Sequence, residues 1–223
     1  MSNLINHILA VGDSFTYGEE LADRNRAYPY LLGARLGATV TNMAKPGSGN
    51  KRMVRYVIER IAHGHPVDLV TIGWSSAGRM EFADQDGFYD IWPGYSGNMF
   101  KRDGQTWRRE LLEYVNRYHN SEYLYRQYLL DVILLQSYLK QMNVRYVMLN
   151  TVINEFYHNN YHGTADDLEQ QIDTEHYLGW PTRGMCEWTS DCPVGPNRHF
   201  LEEGHQRVAD KIYEHIGNRS WVS

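Results

Sequence analysis

The sequence predicts an α/β fold with a parallel sheet covered by helices on both faces. Three observations carry this reading. Short apolar runs of β-favouring residues end in turn residues, segments with apolar residues at helical spacing follow them, and the two kinds alternate along the chain. The first run, Ile8-Leu9-Ala10-Val11, closes at Gly12-Asp13-Ser14 and reads as a buried strand. Tyr28 to Leu36 has helical spacing and stops at Gly37, where a C-cap glycine is expected. Thr39 to Met43 is the second strand, closed by Pro46-Gly47-Ser48-Gly49-Asn50. Met53, Val54, Val57, Ile58 and Ile61 mark the buried stripe of the next helix, which runs up to Gly64. Asp68 to Gly73 is the third strand. A long helix from about Glu122 to Gln141 precedes a fourth strand, Val144 to Val152, and a last helix from Glu202 to about Ile216 closes the chain. Two stretches break the alternation, Arg79 to Ser121 and Asn154 to Arg198. Both are irregular and rich in Tyr and Trp, and they read as insertions capping the active end of a single domain over 1–223.

Composition narrows the function. A chain of 223 residues with 42% hydrophobic and 22% charged residues buries a sizeable core as one domain, which excludes disordered and fibrous classes. With 22 Lys+Arg against 27 Asp+Glu the net charge is -5, and no basic footprint for nucleic acid exists. No apolar run reaches the length of a membrane span. Met1 to His7 lack the basic flank and apolar stretch of a secretory signal, so the expected location is cytoplasmic, with incorporation into a larger assembly left open. Oligomeric state is not specified. No phosphate-binding or dinucleotide glycine motif occurs, and His158 and His162 lack a carboxylate partner spaced for zinc, so neither cofactor nor metal is expected. Cys186 and Cys192 lie six apart, as two free thiols or one loop staple. The 17 Tyr and 6 Trp exceed the needs of a core and suggest surfaces that grip a ligand.

In parallel sheets the chemistry sits at the carboxyl ends of the strands. The first strand is followed by Gly12-Asp13-Ser14-Phe15-Thr16-Tyr17-Gly18, where Ser14 is either a nucleophile beside backbone donors or, with Asp13, a helix cap. The second is followed by Asn42-Met43-Ala44-Lys45-Pro46-Gly47, and the last insertion by Arg198-His199-Phe200-Leu201-Glu202-Glu203-Gly204-His205. Together these resemble the SGNH hydrolases, or GDSL esterases. The resemblance implies a three-layer α/β/α sandwich with a central parallel sheet of about five strands in a flavodoxin-like order. It also implies hydrolysis of acyl esters.

The resemblance assigns Ser14 as nucleophile and, through its N–H, as oxyanion donor. Gly47 becomes a second backbone donor, with Gly49 a less well aligned candidate, and His199 becomes the general base; His205 reads as structural. Two positions depart from the family pattern. Ser75, in Gly73-Trp74-Ser75-Ser76, takes the place of an asparagine whose amide donates to the oxyanion, and its hydroxyl is the candidate replacement donor. Pro196 takes the place of an aspartate three residues before the histidine, leaving Asp191 or a backbone carbonyl to orient His199. Ser75 also heads an elbow-like Gly73-Trp74-Ser75-Ser76-Ala77, a rival nucleophile site that requires a helix after it. The expected function is a serine esterase, with acylated carbohydrate as the substrate class that the aromatic caps favour. The alternative is a catalytically impaired carbohydrate-binding or structural module on the same fold.

Overall fold

The computed structural model describes residues 4–85, 87–92, 106–151 and 165–217. Five parallel strands form the central sheet: β1 (His7–Gly12), β2 (Thr39–Asn42), β3 (Leu69–Trp74), β6 (Arg145–Asn150) and β7 (Tyr177–Leu178), in the order β2-β1-β3-β6-β7. Between β3 and β6 in the chain, β4 (Met80–Asp84) and β5 (Gly87–Ile91) pair as a separate antiparallel hairpin. Counting only the strands of the main sheet, the order is the flavodoxin-like one, with β1 inside: the chain steps from it to β2 at the edge and then crosses back past it to β3. The crevice this opens lies at the carboxyl end of β1, where Ser14 follows.

Period-2 alternation sorts the strand residues between two helical layers. Leu9 and Val11 of β1, Val70 and Ile72 of β3, and Tyr146 and Met148 of β6 face one layer. That layer holds α3 (Asn50–Ala62) and α5 (Ser121–Gln141), with Met53, Val57, Leu129, Val132 and Leu135 at 1% exposure or less. Ile8, Leu69, Val147 and Leu149 face the other layer, made by α2 (Tyr28–Leu36) and the closing helix, Glu202–Gly217. Gly37 ends α2 in the left-handed conformation, φ 66°, as the sequence predicts. The fold is thus the predicted three-layer sandwich. Among the described residues no helix is long and apolar enough to cross a membrane.

Several expectations need correction. The stretch read as irregular from Arg79 contains the regular β4–β5 hairpin, which Arg52 Nε on Asp90 (2.8 Å) and Arg55 Nη2 on Glu81 (2.7 Å) hold against α3, and the helix α4 (Thr106–Arg117). The fourth predicted strand ends at Asn150, and Val152 lies outside the described residues. So do His158, His162 and most of the aromatic residues assigned to the second insertion's first half. Many other aromatics serve the core: Trp74, Tyr28, Tyr125, Tyr128, Tyr146 and Tyr177 are buried. The Tyr128 and Tyr177 hydroxyls donate to Asn150 Oδ1 at 2.9 and 2.6 Å, which satisfies polar tips that would otherwise be costly to bury. Cys186 and Cys192 are free.

His205 stands buried on the closing helix between the rings of Tyr28 and Phe200, and its Nδ1 accepts the Tyr28 N–H (3.2 Å). Burial pushes its pKa down to about 3 from 6.5. Below pH 6.5 the unfolded chain takes up a proton that the folded chain refuses, so this contribution is whole above 6.5 and is lost as pH falls toward 3. Between pH 7.5 and 4.5 the wild type should lose on the order of 2 to 3 kcal/mol more than His205→Gln, read by urea unfolding at the two pH values.

Candidate active site

The glycine that ends β1 is needed because it has no side chain. A Cβ on Gly12 would lie 2.1 Å from Thr16 Oγ1, and one on its ladder partner Gly73 would lie 2.5 Å from the same atom. Two facing glycines therefore let the short helix α1 (Ser14–Tyr17) settle onto the end of the sheet. Asp13 caps that helix, Oδ1 accepting the Phe15 N–H at 3.1 Å, so the capping reading holds for Asp13 and leaves Ser14 free for other work.

The Ser14 hydroxyl lies 2.9 Å from His199 Nε2. His199 comes from the far end of the chain, directly after the β-turn Gly195–Arg198, in which the Arg198 N–H donates to Gly195 O (2.9 Å) with Pro196 at the second position. Its ring packs edge-on against Phe15, centroids 4.7 Å apart. The other ring nitrogen, Nδ1, lies 2.9 Å from Glu20 Oε2. With Nδ1–H donating to this carboxylate, Nε2 presents a lone pair to the serine hydroxyl.

Glu20 corrects the expectation for the orienting group. Asp191 is instead tied to Arg207 at an exposed position, and it does not approach His199. Among the described residues no carbonyl takes that place either. The Glu20 carboxylate also accepts the backbone N–H of Asn197 (2.8 Å) and of His199 (3.2 Å), and Nδ2 of Asn197 (3.2 Å). Desolvation opposes its charge, but the Asn197 N–H, the imidazole and the His199 N–H outweigh that and hold its pKa below the ordinary carboxylate value. Sequence reasoning missed Glu20 because its partner is 179 positions away. The only local hint was a second acidic residue just beyond Gly18.

The N–H groups of Ser14 and Gly47, the backbone donors the resemblance implies, make no competing hydrogen bonds among the described residues. Gly47 has φ 79° in a turn closed by the Ser48 N–H on Lys45 O (3.0 Å), the geometry that Pro46-Gly47 favours. Among the described residues neither the Ser14 N–H nor the Gly47 N–H donates to another protein group, so both are available. The Gly49 N–H is already spent on Asp90 Oδ1 (2.9 Å).

Ser75 does not supply the expected donor. Its hydroxyl donates to Asp13 Oδ2 (3.0 Å) and its N–H to Asn50 Oδ1 (2.9 Å), so both hydrogens are committed. The elbow reading of Ser75 fails too, since a strand follows it and not a helix. Asp13 is fully buried; desolvation raises its pKa while the Arg79 guanidinium (3.0 Å), the Phe15 N–H and the Ser75 hydroxyl pull against that rise.

A cavity of about 210 Å³ opens beside this cluster, between α3, α5 and the hairpin, with Asn50, Arg79, Phe82, Tyr123, Gln127 and Asp131 among its walls. Burial pushes the Asp131 pKa up to about 6, against the pull of Lys51. Elsewhere Asp173, Glu175 and His176 gather ligand atoms within 4.8 Å, but the Lys140 ammonium, 2.7 Å from Asp173, already supplies the positive charge there.

A family profile described as "Family of unknown function (DUF6071)" matches residues 16–222. No curated protein matches. Among solved structures, TesA is similar with a TM-score of 0.59 at 13% identity, covering 95% of this chain and 98% of the other. A member of the lipolytic protein G-D-S-L family from Veillonella parvula is similar at TM-score 0.52 and 16% identity, covering 96% and 99%. A family two carbohydrate esterase from Clostridium thermocellum, solved in complex with cellohexaose, is similar at TM-score 0.54 and 14% identity, covering 100% and 67%. The architecture is that of the SGNH hydrolases.

Gly195 admits the Glu20 carboxylate: a Cβ there would stand 2.6 Å from Glu20 Cδ and 2.8 Å from both oxygens. Gly195→Ala should therefore push the carboxylate off its donors and lower the unfolding free energy by about 1 to 3 kcal/mol, measured by urea titration at neutral pH.

Proposed function

This chain belongs to the DUF6071 family on an SGNH hydrolase fold, and from that premise we propose that it is a serine ester hydrolase whose relay is Ser14, His199 and Glu20. The observation that carries the proposal is the continuous run of hydrogen bonds from Glu20 through His199 to Ser14, each 2.9 Å long. Nothing in folding alone asks a half-buried imidazole to bridge a serine hydroxyl and a carboxylate drawn from distant parts of the chain.

In the proposed reaction Ser14 Oγ attacks the ester carbonyl carbon while its proton passes to His199 Nε2. The carbonyl pair becomes an oxyanion held by the Ser14 and Gly47 N–H groups. Glu20 stays ionised and stabilises the imidazolium that forms. His199 then protonates the leaving alcohol, and water, activated by the same imidazole, releases the acid from the acyl-enzyme.

Acylated carbohydrate, acetylated sugars included, is the substrate class the surroundings favour. The neighbouring cavity combines the rings of Phe82 and Tyr123, suited to sugar faces, with Gln127, Lys51 and Asp131, suited to hydroxyl groups. The bound cellohexaose of the Clostridium thermocellum relative is consistent with this choice. The withdrawal of the Ser75 hydroxyl favours a second reading, a carbohydrate-binding module that no longer turns over.

A fluorophosphonate probe separates the two. The expected result is a label mapped by mass spectrometry to Ser14 and lost in His199→Ala; a folded wild-type chain that takes no label would leave the binding module standing. Within the enzyme reading, Glu20→Gln should lower kcat on an aryl acetate by about 10³- to 10⁴-fold, because an amide fixes the wrong imidazole tautomer. Asp191→Asn should stay within about twofold, as surface substitutions away from the site do. A Glu20→Gln enzyme with wild-type kcat would remove Glu20 from the relay.

A further inference from the structure

The third donor of the oxyanion site is missing from the position where the SGNH pattern puts it, and the structure shows what stands nearby instead. Ser75 is held from both sides: Asn50, the first residue of α3, takes its N–H at 2.9 Å and donates to its carbonyl at 3.2 Å, while Asp13 takes its hydroxyl. After Ser75 the chain turns back on itself, with the Arg79 N–H on Ser76 O (3.1 Å) and the Gly78 N–H on Ser76 Oγ (3.3 Å). This turn returns Arg79 to the cluster that Ser75 enters. Arg79 Nη1 and Ser75 Oγ both donate to the same oxygen, Asp13 Oδ2, each at 3.0 Å, and Asp13 directly precedes Ser14.

The other side of the guanidinium rests on Trp92, 5.1 Å from the ring centroid. The six-membered edge of that indole lies 3.2 to 3.3 Å from where a Gly47 Cβ would stand. Asp13, Trp92 and Gly47 thus bracket the guanidinium with the residue before the nucleophile on one side and the second backbone donor's neighbour on the other. The Arg79 side chain is 18% exposed, and among the described residues only Nη1 is hydrogen-bonded. Its remaining N–H groups are therefore uncommitted, and the side chain also lines the cavity beside Asn50.

We infer that Arg79 is the third oxyanion donor, a charged fork brought in by the turn after β3 in place of the side-chain amide that Ser75 lacks. The inference rests on the acyl-transfer reading above. As Ser14 Oγ bonds to the carbonyl carbon and its proton moves to His199, the carbonyl electron pair settles on oxygen, and Arg79 donates a hydrogen bond to it without giving up a proton. A charge-assisted donor anchored on Asp13 is fixed in place before the reaction, as such stabilisation requires.

The test uses the full chain, an aryl acetate and the fluorophosphonate probe. Arg79→Ala should lower kcat by about 10²- to 10³-fold with KM within about threefold, the signature of a contact made in the transition state. Added guanidinium at low millimolar concentration should restore turnover of Arg79→Ala saturably and leave the wild type unchanged. Arg79→Lys, which keeps the charge and loses the fork, should fall between the two and serves in place of Arg79→Ala if the latter melts early. The inference is overturned by a kcat near the wild-type value in either variant, by a loss that appears only in KM, or by a loss in folded Arg79→Ala that guanidinium does not restore. A wild-type chain that takes no label at Ser14 removes the acyl-transfer reading and this inference with it, whereas normal labelling with an unaltered Arg79→Ala removes only the inference.

Discussion

Four N–H groups from two residues of one short loop converge on the Glu20 carboxylate: the backbone N–H of Asn197 and His199, the Asn197 side-chain amide and the His199 imidazole. That single anion joins the loop after the first strand to the loop before the closing helix. Its charge is what the arrangement depends on, because a neutral group could not compensate so many donors at once. The backbone bears a cost on both sides of the contact. Glu20 has φ 67° and Arg198 has φ 68°, conformations that non-glycine residues rarely adopt. Such strain persists where surrounding contacts over-determine it, and it commonly marks a working site.

The sheet makes this meeting possible. Because β1 lies between β2 and β3, the crossover to β2 through α2 covers one face and the crossover from β2 to β3 through α3 covers the other, and the crevice at the carboxyl end of β1 is open. The facing glycines Gly12 and Gly73 let Thr16 drop onto the sheet, where its hydroxyl lies 3.2 Å from the buried Tyr28 hydroxyl. Asn42, at the end of β2, donates to the Thr16 carbonyl at 2.9 Å and accepts the Ala44 N–H, which ties the Gly47 turn to the same short helix. Ser14, the Gly47 turn and the core are thus one packed unit.

Asp13 is the second hub. Its carboxylate caps α1, accepts the Ser75 hydroxyl and pairs with Arg79, all while fully buried. Breaking one partner of such a buried group is costly because the others cannot follow water outward. Ser75 and Arg79, four residues on, are therefore physically linked through that one carboxylate. The same logic applies to Pro196: it shapes the turn that delivers two backbone N–H groups to Glu20, so the carboxylate reaches the imidazole from another part of the chain.

What the sequence determined by itself was local. Alternating apolar runs and turn residues specified the layered sheet, Gly37 marked the end of α2, and the motif order brought Ser14, Gly47 and His199 forward as candidates. These signals survive without coordinates because periodicity, capping and turn chemistry act over a few residues. The tertiary structure decided the rest. It placed Glu20 on His199, turned Ser75 inward to Asp13, sent Asp191 to Arg207, made a hairpin of 80–91 and buried tyrosines that composition alone assigned to a surface. Each of these is a pairing between groups distant in sequence, chosen by which polar atoms could be satisfied once the helices had packed, and no short pattern of residues encodes that choice.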